Sequence, residues 1–315
     1  MIRTLFQNHM INEFDLPELK MIDSRFGIIK DIIEIPIRPS DPNIYTLLAS
    51  SHSLEYISTN QVKNDCLITS GYGLNFHEAL IHTCREFISN YCIQVNIDRT
   101  FQHEEFSHFT KSVATSTTIE HALMSGITDA LAHNIFKTFC LEQTNVNIID
   151  FFKIPSLETL YYERFEFYEN NIHLLNISPF YSFPVILGVM IDNDGTVLTI
   201  PTFDLSIEKA CKESLVKLGH LKIIKDRKFQ SEILYPKLNQ YLIQGYTRDY
   251  ILDIILKSSK KDSLDNKLRN NNMNQLAYLI EFLEINNFKI IAIDITTEDI
   301  QQIGLKVMKI LISNT

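Results

Sequence analysis

Apolar residues recur three and four positions apart in several long stretches of the chain, which is the spacing of one helical face. The stretch "NFHEALIHTCREFISNYC" predicts an amphipathic helix over 76–92, and the same pattern predicts helices over 118–137 and 206–221. A further stretch, "SLETLYYERFEFYENN", predicts a helix that begins near Ser156. The chain is therefore expected to contain several helices, each with one buried face.

Runs of β-branched residues predict strands in the segments between these helices. These runs cover 28–37, 183–191, 196–201, 288–295 and 305–312. Two of them flank Asn193-Asp194-Gly195, which is a strong signal for a tight hairpin turn. Strands and helices mix without strict alternation, which favours an α+β fold with mixed sheets packed against helices in a single domain over 1–315. The polar stretch 257–272 is predicted to be a mobile loop.

The three long helices open in the same way. Asn75, Thr118 and Ser206 are residue types that cap helix N-termini, and each lies four residues before an alanine. These alanines are Ala79, Ala122 and Ala210. An acidic residue in each first turn suits the positive end of the helix dipole. Ordinary capping explains this repeat as readily as a repeated functional element does.

Later positions of the three helices also correspond. Counting from each alanine, the fourth positions are Thr83, Gly126 and Ser214, the seventh are Glu86, Asp129 and Lys217, and the tenth are Ser89, Ala132 and His220. In the first helix, the spacing of three stacks Thr83, Glu86 and Ser89 on one face. This stack of oxygen atoms is either a solvated stripe or one wall of a site for a charged ligand.

The composition restricts the partners that such a site can have. The 315 residues carry a formal net charge of −9, so a broad positive surface for nucleic acid is not expected, although a local basic patch remains open. The five cysteines form no CxxC pair, and the ten histidines show no zinc-binding spacing. No apolar run is long enough to span a membrane, and the N-terminal residues lack the pattern of a secretory signal. These features predict a cytoplasmic protein without a membrane partner.

Several segments together resemble the YcaO family, whose members activate backbone amides with ATP and form azolines, thioamides or amidines in ribosomally made peptides. The segment "TSGYGLNFHEALIHTCREFISNYC" is similar to the family's sGkG element and the SxxExxE helix that follows it. The segment "SVATSTTIEHALMSGITDALAHNIF" is similar to a second element that ends in ExxER, and "IEKACKESLVKL" to a third. Near the end, "FKIIAIDITTEDIQQIGLKVMKILI" resembles the family's last conserved segment. The resemblance spans nearly the whole chain and implies a YcaO-like fold.

The resemblance also implies where a nucleotide site would lie. In the family, paired acids on these helices hold the magnesium ions that neutralise the ATP phosphates, and an arginine contacts phosphate. Carried onto this chain, the first set falls on Thr83, Glu86 and Ser89, and the second on Asp129, Ala132 and His133. Glu86 and Asp129 keep their carboxylates and could together hold one cation weakly. We expect them to point into a common cleft, with their carboxylates within roughly 10 Å of each other, the span of a hydrated cation.

The third helix permits two alignments with the family. In one, Glu213 matches the family acid, but Val216 and Gly219 replace glutamine and arginine; in the other, Lys217 and His220 replace the ligands. Neither alignment gives a complete site. The residues that remain as candidates for a remnant of the nucleotide and metal site are Thr83, Glu86, Ser89, Asp129, His133 and Glu213.

Other parts of the family's site are changed as well. Its glycine-rich loop corresponds to "KSVATST", with Ser112 and Ser116 at positions where glycine lets backbone amides approach phosphate. Tyr72 replaces the lysine of the sGkG element, and no proline-rich tail follows Pro236. These changes argue against cyclodehydration by this chain.

The resemblance and the changed ligands together predict a degenerate YcaO-like protein, with no ATP or magnesium cofactor and no catalysis by the chain alone. We expect a non-catalytic, regulatory or scaffold subunit that works beside another YcaO-like or peptide-modifying protein on a precursor peptide, in a homo- or hetero-oligomer. Two alternatives stay open. The chain could be a divergent ATP-dependent enzyme of the cyclodehydratase type with ligands elsewhere, or a stand-alone binding protein that reuses the fold.

Overall fold

The structure is a computed structural model that describes residues 16–23, 27–53, 66–96, 108–142, 146–165, 171–179, 183–227, 242–243, 245–257, 261–262 and 275–314. The α-helices are α1 (Phe76–Val95), α2 (Ile119–Glu142), α3 (Pro155–Phe165), α4 (Ile207–Asp226), α5 (Gly245–Lys257), α6 (Gln275–Ile285) and α7 (Glu298–Gln302). In this part of the chain, no helix combines the length and the apolar character that crossing a bilayer requires.

The strands of the described residues form three sheets. They are β1 (Ile29–Glu34), β2 (Tyr45–Ser53), β3 (Cys66–Gly73), β4 (Thr110–Ser116), β5 (Asn147–Ile149), β6 (Ile172–Asn176), β7 (Val185–Ile191), β8 (Val197–Phe203), β9 (Leu242–Ile243), β10 (Lys261–Asp262), β11 (Phe288–Asp294) and β12 (Lys306–Asn314). The strand orders are β1-β2-β3, β10-β5-β6-β7-β8-β9 and β11-β12-β4. Neighbouring strands are antiparallel except for the short β10–β5 pair.

The described residues fall into two compact units. The first comprises those within Met1–Pro36, Tyr45–Ala130 and Asn274–Thr315, and the second those within Ile37–Ile44 and Leu131–Met273. The first unit therefore contains the two three-stranded sheets with α1, and the second contains the six-stranded sheet with α4. The prediction of a single domain over 1–315 stays a prediction.

The core of the first unit forms where α1 packs on β2, β3 and β4. Leu80 and Phe87 of the helix are fully buried, and they belong to one cluster with Leu47 and Ala49 of β2. These apolar positions recur at helical spacing in α1 and at alternate positions in β2, as expected for a helix that covers one face of a sheet. The polar residues of α1 that face this sheet are therefore surrounded by packed side chains.

The second unit contains the predicted hairpin, which is confirmed. Strands β7 and β8 are joined by a turn in which Gly195 N–H donates to the carbonyl of Asp192 at 2.8 Å, and Gly195 has φ 77°. This left-handed conformation favours glycine because any other residue would bring a Cβ atom too close to the backbone. Nearly every residue of the two strands is buried, and α4 lies against both strands. The helix and the hairpin thus form one packed module.

The predicted α+β class is confirmed, and each predicted helix and strand corresponds to an observed element with shifted ends. The helices α1, α2 and α4 run on to Val95, Glu142 and Asp226, which lie beyond the predicted last residues 92, 137 and 221. No glycine or proline immediately follows these residues, so the sequence held no strong stop signal at the true ends.

Two segments that the sequence predicts to be loops, 111–117 and 257–272, contain strand residues. The segment "KSVATST" is not a loop, because Thr110–Ser116 form strand β4, which pairs with β12 along its whole length. Its small polar residues become strand residues through tertiary pairing, which often overrides weak local preference. Within the predicted loop 257–272, Lys261–Asp262 form β10, whereas 258–260 and 263–272 lie outside the described residues.

Candidate functional site

The three predicted helix caps are confirmed. The Asn75 side-chain oxygen accepts a hydrogen bond from the backbone N–H of Glu78 at 2.9 Å. The Thr118 hydroxyl accepts one from His121 N–H at 3.2 Å. The Ser206 hydroxyl accepts one from Lys209 N–H at 3.4 Å. Each cap satisfies a backbone donor that the first helical turn would otherwise leave unpaired.

Thr83, Gly126 and Ser214, which lie four residues after the three alanines, are positions where each helix comes very close to a sheet. A Cβ atom added to Gly71 of β3 would lie 2.4 Å from the backbone nitrogen of Thr83 on α1. A Cβ atom added to Gly188 of β7 would lie 2.3 Å from the Ser214 hydroxyl oxygen on α4. On α2 the corresponding residue is Gly126 itself, whose added Cβ would lie 2.6 Å from Ile310 of β12. The repeat is therefore a packing signature, since small residues recur where backbone segments nearly touch.

Two hydroxyls of the predicted oxygen stack on α1 are used inside the protein. Thr83 is fully buried, and its hydroxyl donates to the carbonyl of Ala79 at 2.6 Å. Ser89 is buried, and its hydroxyl lies 2.7 Å from that of Thr115 on β4. Both oxygens are therefore enclosed and hydrogen-bonded within the protein, as buried polar groups usually are.

Glu86 is the half-buried carboxylate between them. The side-chain amide of Asn90 donates to Glu86 Oε1 at 3.2 Å and to the Glu86 carbonyl at 2.8 Å, which fixes the carboxylate along the helix. Its neighbour Arg85 forms an ion pair with Glu18 at 2.8 Å, and Glu18 retains only 1% of its exposure. The sequence reasoning missed this pair because the two residues are far apart in the chain and no spacing rule joins them.

Asp129 lies half-buried on α2, where its Oδ2 accepts a hydrogen bond from the Ser112 hydroxyl of β4 at 2.8 Å. Ser112 stands at a position where the resemblance implies glycine. Its side chain therefore binds an acid of the candidate site. One carboxylate oxygen of Asp129 is thus occupied by a protein donor.

The contacts of α1 and α2 lie on opposite faces of β4. Side chains alternate across a strand, so Thr115, which meets Ser89, and Ser112, which meets Asp129, point in opposite directions. Strand β4 ends the order β11-β12-β4, so one of its edges has no strand neighbour among the described residues. Glu86 belongs to the helix on one face of β4, and Asp129 belongs to the helix on the other face. Their common cleft stays a prediction.

The remaining candidate positions do not add ligands of the expected type. Ala132 is 1% exposed, and His133 beside it is half-buried on α2. In the second unit, the carboxylate of Glu213, which is exposed, lies 3.7 Å from the amine of the half-buried Lys217, one helical turn away. A pair with this spacing lies along one face of α4.

Tyr72 stands at the position where the resemblance implies the lysine of the sGkG element. It is buried on β3, and its ring centroid lies 4.1 Å from that of His82 on α1. An aromatic pair at this distance contributes packing between strand and helix. This position therefore carries a packed aromatic ring.

Two carboxylates occupy the positions on α1 and α2 where the resemblance implies magnesium ligands. Within the described ranges, no three His, Cys, Asp or Glu side chains come together as a possible metal site. Magnesium at a triphosphate is held by carboxylates, phosphate oxygens and water in octahedral geometry, and only Glu86 and Asp129 offer carboxylates on α1 and α2 at the implied positions.

Comparison with known proteins establishes the fold. No protein-family model matches this chain, and neither does any curated protein. A solved structure is similar: YcaO from Methanopyrus kandleri, bound with AMPPCP and Mg2+, matches with a TM-score of 0.58 over 90% of this chain and 84% of that chain, at 10% sequence identity. At so low an identity the similarity concerns the fold alone. The chain thus has a YcaO-like fold.

Proposed function

We propose that this chain is a non-catalytic subunit, regulatory or scaffolding, of a complex that modifies a ribosomally synthesised peptide. A partner with a complete YcaO-type site would carry out the ATP-dependent step. The YcaO-like fold supports the relation to this class of proteins. The changed residue types and the burial at several implied ligand positions support the proposal that the chain is not catalytic.

The observation that carries the proposal is the burial of three of those positions, Thr83, Ser89 and Ala132. Ser89 and Thr83 lie inside the helix–sheet interface with their hydroxyls hydrogen-bonded, and Ala132 is buried without a polar group. A nucleotide ligand must be reachable by phosphate or by a hydrated metal ion. A residue enclosed in the core cannot serve in that role unless the helix moves away from its sheet.

The expected loss of affinity is large. A hydrogen bond or ion contact to a charged group contributes about 1.5–3 kcal/mol. Replacing family ligands at Ser89, Ala132 and His133 removes three such contacts, or about 5 kcal/mol, which is more than a thousandfold in the dissociation constant. A site that binds ATP at micromolar concentration in a complete protein would therefore become millimolar here.

Calorimetry tests the nucleotide part of the proposal. The purified chain is titrated with AMPPCP in the presence of magnesium, with the Methanopyrus kandleri YcaO as positive control because its structure contains this ligand. We expect binding by the control and none by this chain at micromolar concentration. Micromolar binding that Glu86→Gln abolishes would favour the divergent enzyme instead. Binding that Glu86→Gln leaves intact would place a nucleotide site elsewhere and would also overturn the proposal.

Affinity purification tests the subunit part. The tagged full chain is purified from its own cells, and we expect a second YcaO-like or peptide-modifying protein to accompany it. Adding back a candidate precursor peptide should then yield modified peptide only when both proteins are present. A chain that modifies the peptide alone with ATP would be an enzyme. A chain that purifies alone and leaves the partner's activity unchanged would fit the stand-alone binding protein.

A further inference from the structure

Three lysines lie on one face of the β11-β12-β4 sheet, although the chain as a whole is acidic. Lys309 of β12 pairs with Val113 of β4, and Lys111 lies two residues before Val113, so Lys111 and Lys309 share a face as diagonal neighbours. Lys289 of β11 lies on the same face, where its amine sits 5.7 Å from the ring centroid of Phe109. This is the face that α1 covers through the contact of Ser89 with Thr115.

Lys309 is the unusual member of the three. It retains only 9% of its full exposure, yet among the described residues neither an ion pair nor a hydrogen bond is made to its amine. Its nearest cross-strand neighbours, Val113 and Ile293, are apolar. A largely buried lysine whose amine has no protein partner is unusual, because lysines in such positions are normally paired. Burial, together with the positive charge of Lys111, lowers the pKa of the Lys309 amine.

The neighbourhood of Lys309 also shows where a compensating charge would lie. Lys111 is exposed and belongs to β4, whose outer edge has no strand neighbour in the described part of the chain. Diagonal neighbours on a sheet have Cα atoms about 7–8 Å apart, so one small anion can be reached by both flexible side chains. Lys111 is exposed to solvent, and Lys309 beside it on this face is largely buried.

We propose that Lys309 and Lys111 form a binding site for a phosphate-type oxyanion on this sheet face. A dianion interacts with both ammonium groups at once and removes the repulsion between them, whereas a monovalent anion such as chloride neutralises only one charge. Four tetrahedral oxygens also provide acceptors for two separate donors. The site is independent of the proposed nucleotide loss, because it involves none of the residues at the implied ATP positions.

Thermal unfolding of the full chain in inorganic phosphate tests the site, with sodium chloride at the same ionic strength as reference. Phosphate at ten times its dissociation constant raises the ratio of folded to unfolded chains about elevenfold, which corresponds to a rise in Tm of roughly 2–4 °C. We expect this rise in the wild type and in Lys289→Met, the matched control on the same face. We expect it to be lost in Lys309→Met and in Lys111→Met.

Lys309→Met is expected to fold, because methionine fills a similar volume and removes an unpaired charge from a largely buried side chain. Without phosphate its Tm should equal or exceed that of the wild type, which separates loss of binding from loss of folding. Broadening of the phosphate resonance in ³¹P NMR provides a second reading on the same variants. The proposal is wrong if the wild type shows no rise beyond the chloride reference, or if Lys309→Met retains the full rise.

Discussion

The module of β3 and α1 can be compared with the module of β8 and α4, because both open in the same way and then differ. Each helix begins with a side-chain cap, at Asn75 or Ser206, and each has a fully buried alanine one turn later. Beyond that point the modules diverge. The seventh position after the alanine is Glu86 in α1 and Lys217 in α4.

The far ends of the two helices are also held by different chemistry. The side-chain amide of Asn96, just after α1, donates to the carbonyl of Ile295 at 3.0 Å. Near the end of α4, Lys225 forms ion pairs with Asp192 and Asp194 in the hairpin turn. The positions that the two modules share are therefore those that set the distance between a helix and its sheet. Positions that carry charge vary, so function has to be argued from individual contacts.

The largest effect is expected when the close approach in the first module is blocked. In Gly71→Ala the new Cβ atom would lie 2.4 Å from the backbone nitrogen of Thr83 and 2.5 Å from its Cα. Backbone atoms cannot rotate away, so α1 must shift from the sheet. We expect the free energy of unfolding to fall by about 3 kcal/mol, measured by urea denaturation. Thr83→Ala in the same chain should not restore it, and full restoration would contradict a backbone clash.

An intermediate effect is expected when the ion pairs of the second module are removed. Burial opposes ionisation of Asp192, but hydrogen bonds from Lys225 and Lys222 outweigh it and lower the pKa of the carboxyl. A lowered folded-state pKa gives stability that is present above the unfolded value near 4 and is lost as pH falls through the folded value. Asp192→Asn should therefore lower the free energy of unfolding by about 2 kcal/mol at pH 7.

The pH dependence supplies the control for Asp192→Asn. Between pH 5 and pH 2 the wild type should lose more stability than the variant, because the variant no longer has this carboxylate to protonate. Glu213→Gln removes a partly exposed ion pair of the same helix and should change stability by at most a few tenths of a kcal/mol. Equal losses for wild type and Asp192→Asn over this pH range would show that the turn pairs do not stabilise the fold.

The smallest effect is expected at the close approach of the second module. In Gly188→Ala the new Cβ atom would lie 2.3 Å from the Ser214 hydroxyl and 2.8 Å from a methyl group of Leu218, and both are side-chain atoms. We expect a loss of about 1 kcal/mol in the free energy of unfolding. Ser214→Ala should restore it, because the clashing hydroxyl is removed. That hydroxyl is buried and has no hydrogen-bond partner among the described residues. A double variant as unstable as Gly188→Ala would show that Leu218 causes the clash.

The elements that the sequence predicted well are those with local signals. The caps Asn75, Thr118 and Ser206 and the turn at Gly195 depend on residues within a few positions of each other, so composition and spacing suffice. Strand β4 had no such signal. Its residues "TKSVATS" are small and polar, and only pairing with β12 and cover on both faces makes them a buried strand.

The candidate site was predictable in its residue types but not in its contacts. The sequence identified Glu86 and Asp129 as the retained acids. It could not show that Ser112 donates to Asp129 or that Ser89 meets Thr115, because both contacts join a helix to a strand through tertiary packing. The sequence could not predict that Lys111, Lys289 and Lys309 share one sheet face, because the three lysines come from different strands. The net charge of −9 describes the whole chain and does not reveal a local group of positive side chains.

The position of β4 between two helices restricts how the gene can change length at this point. Inserting or deleting one codon within the strand would exchange its two faces, so that the Thr115 position would turn from α1 toward α2 and the Ser112 position from α2 toward α1. A lysine such as Lys111 would then turn toward the tight contact of Gly126 with Ile310. Related genes are therefore expected to differ here by substitutions, or by gaps of two codons, and single-codon gaps should be confined to the segments outside Thr110–Ser116.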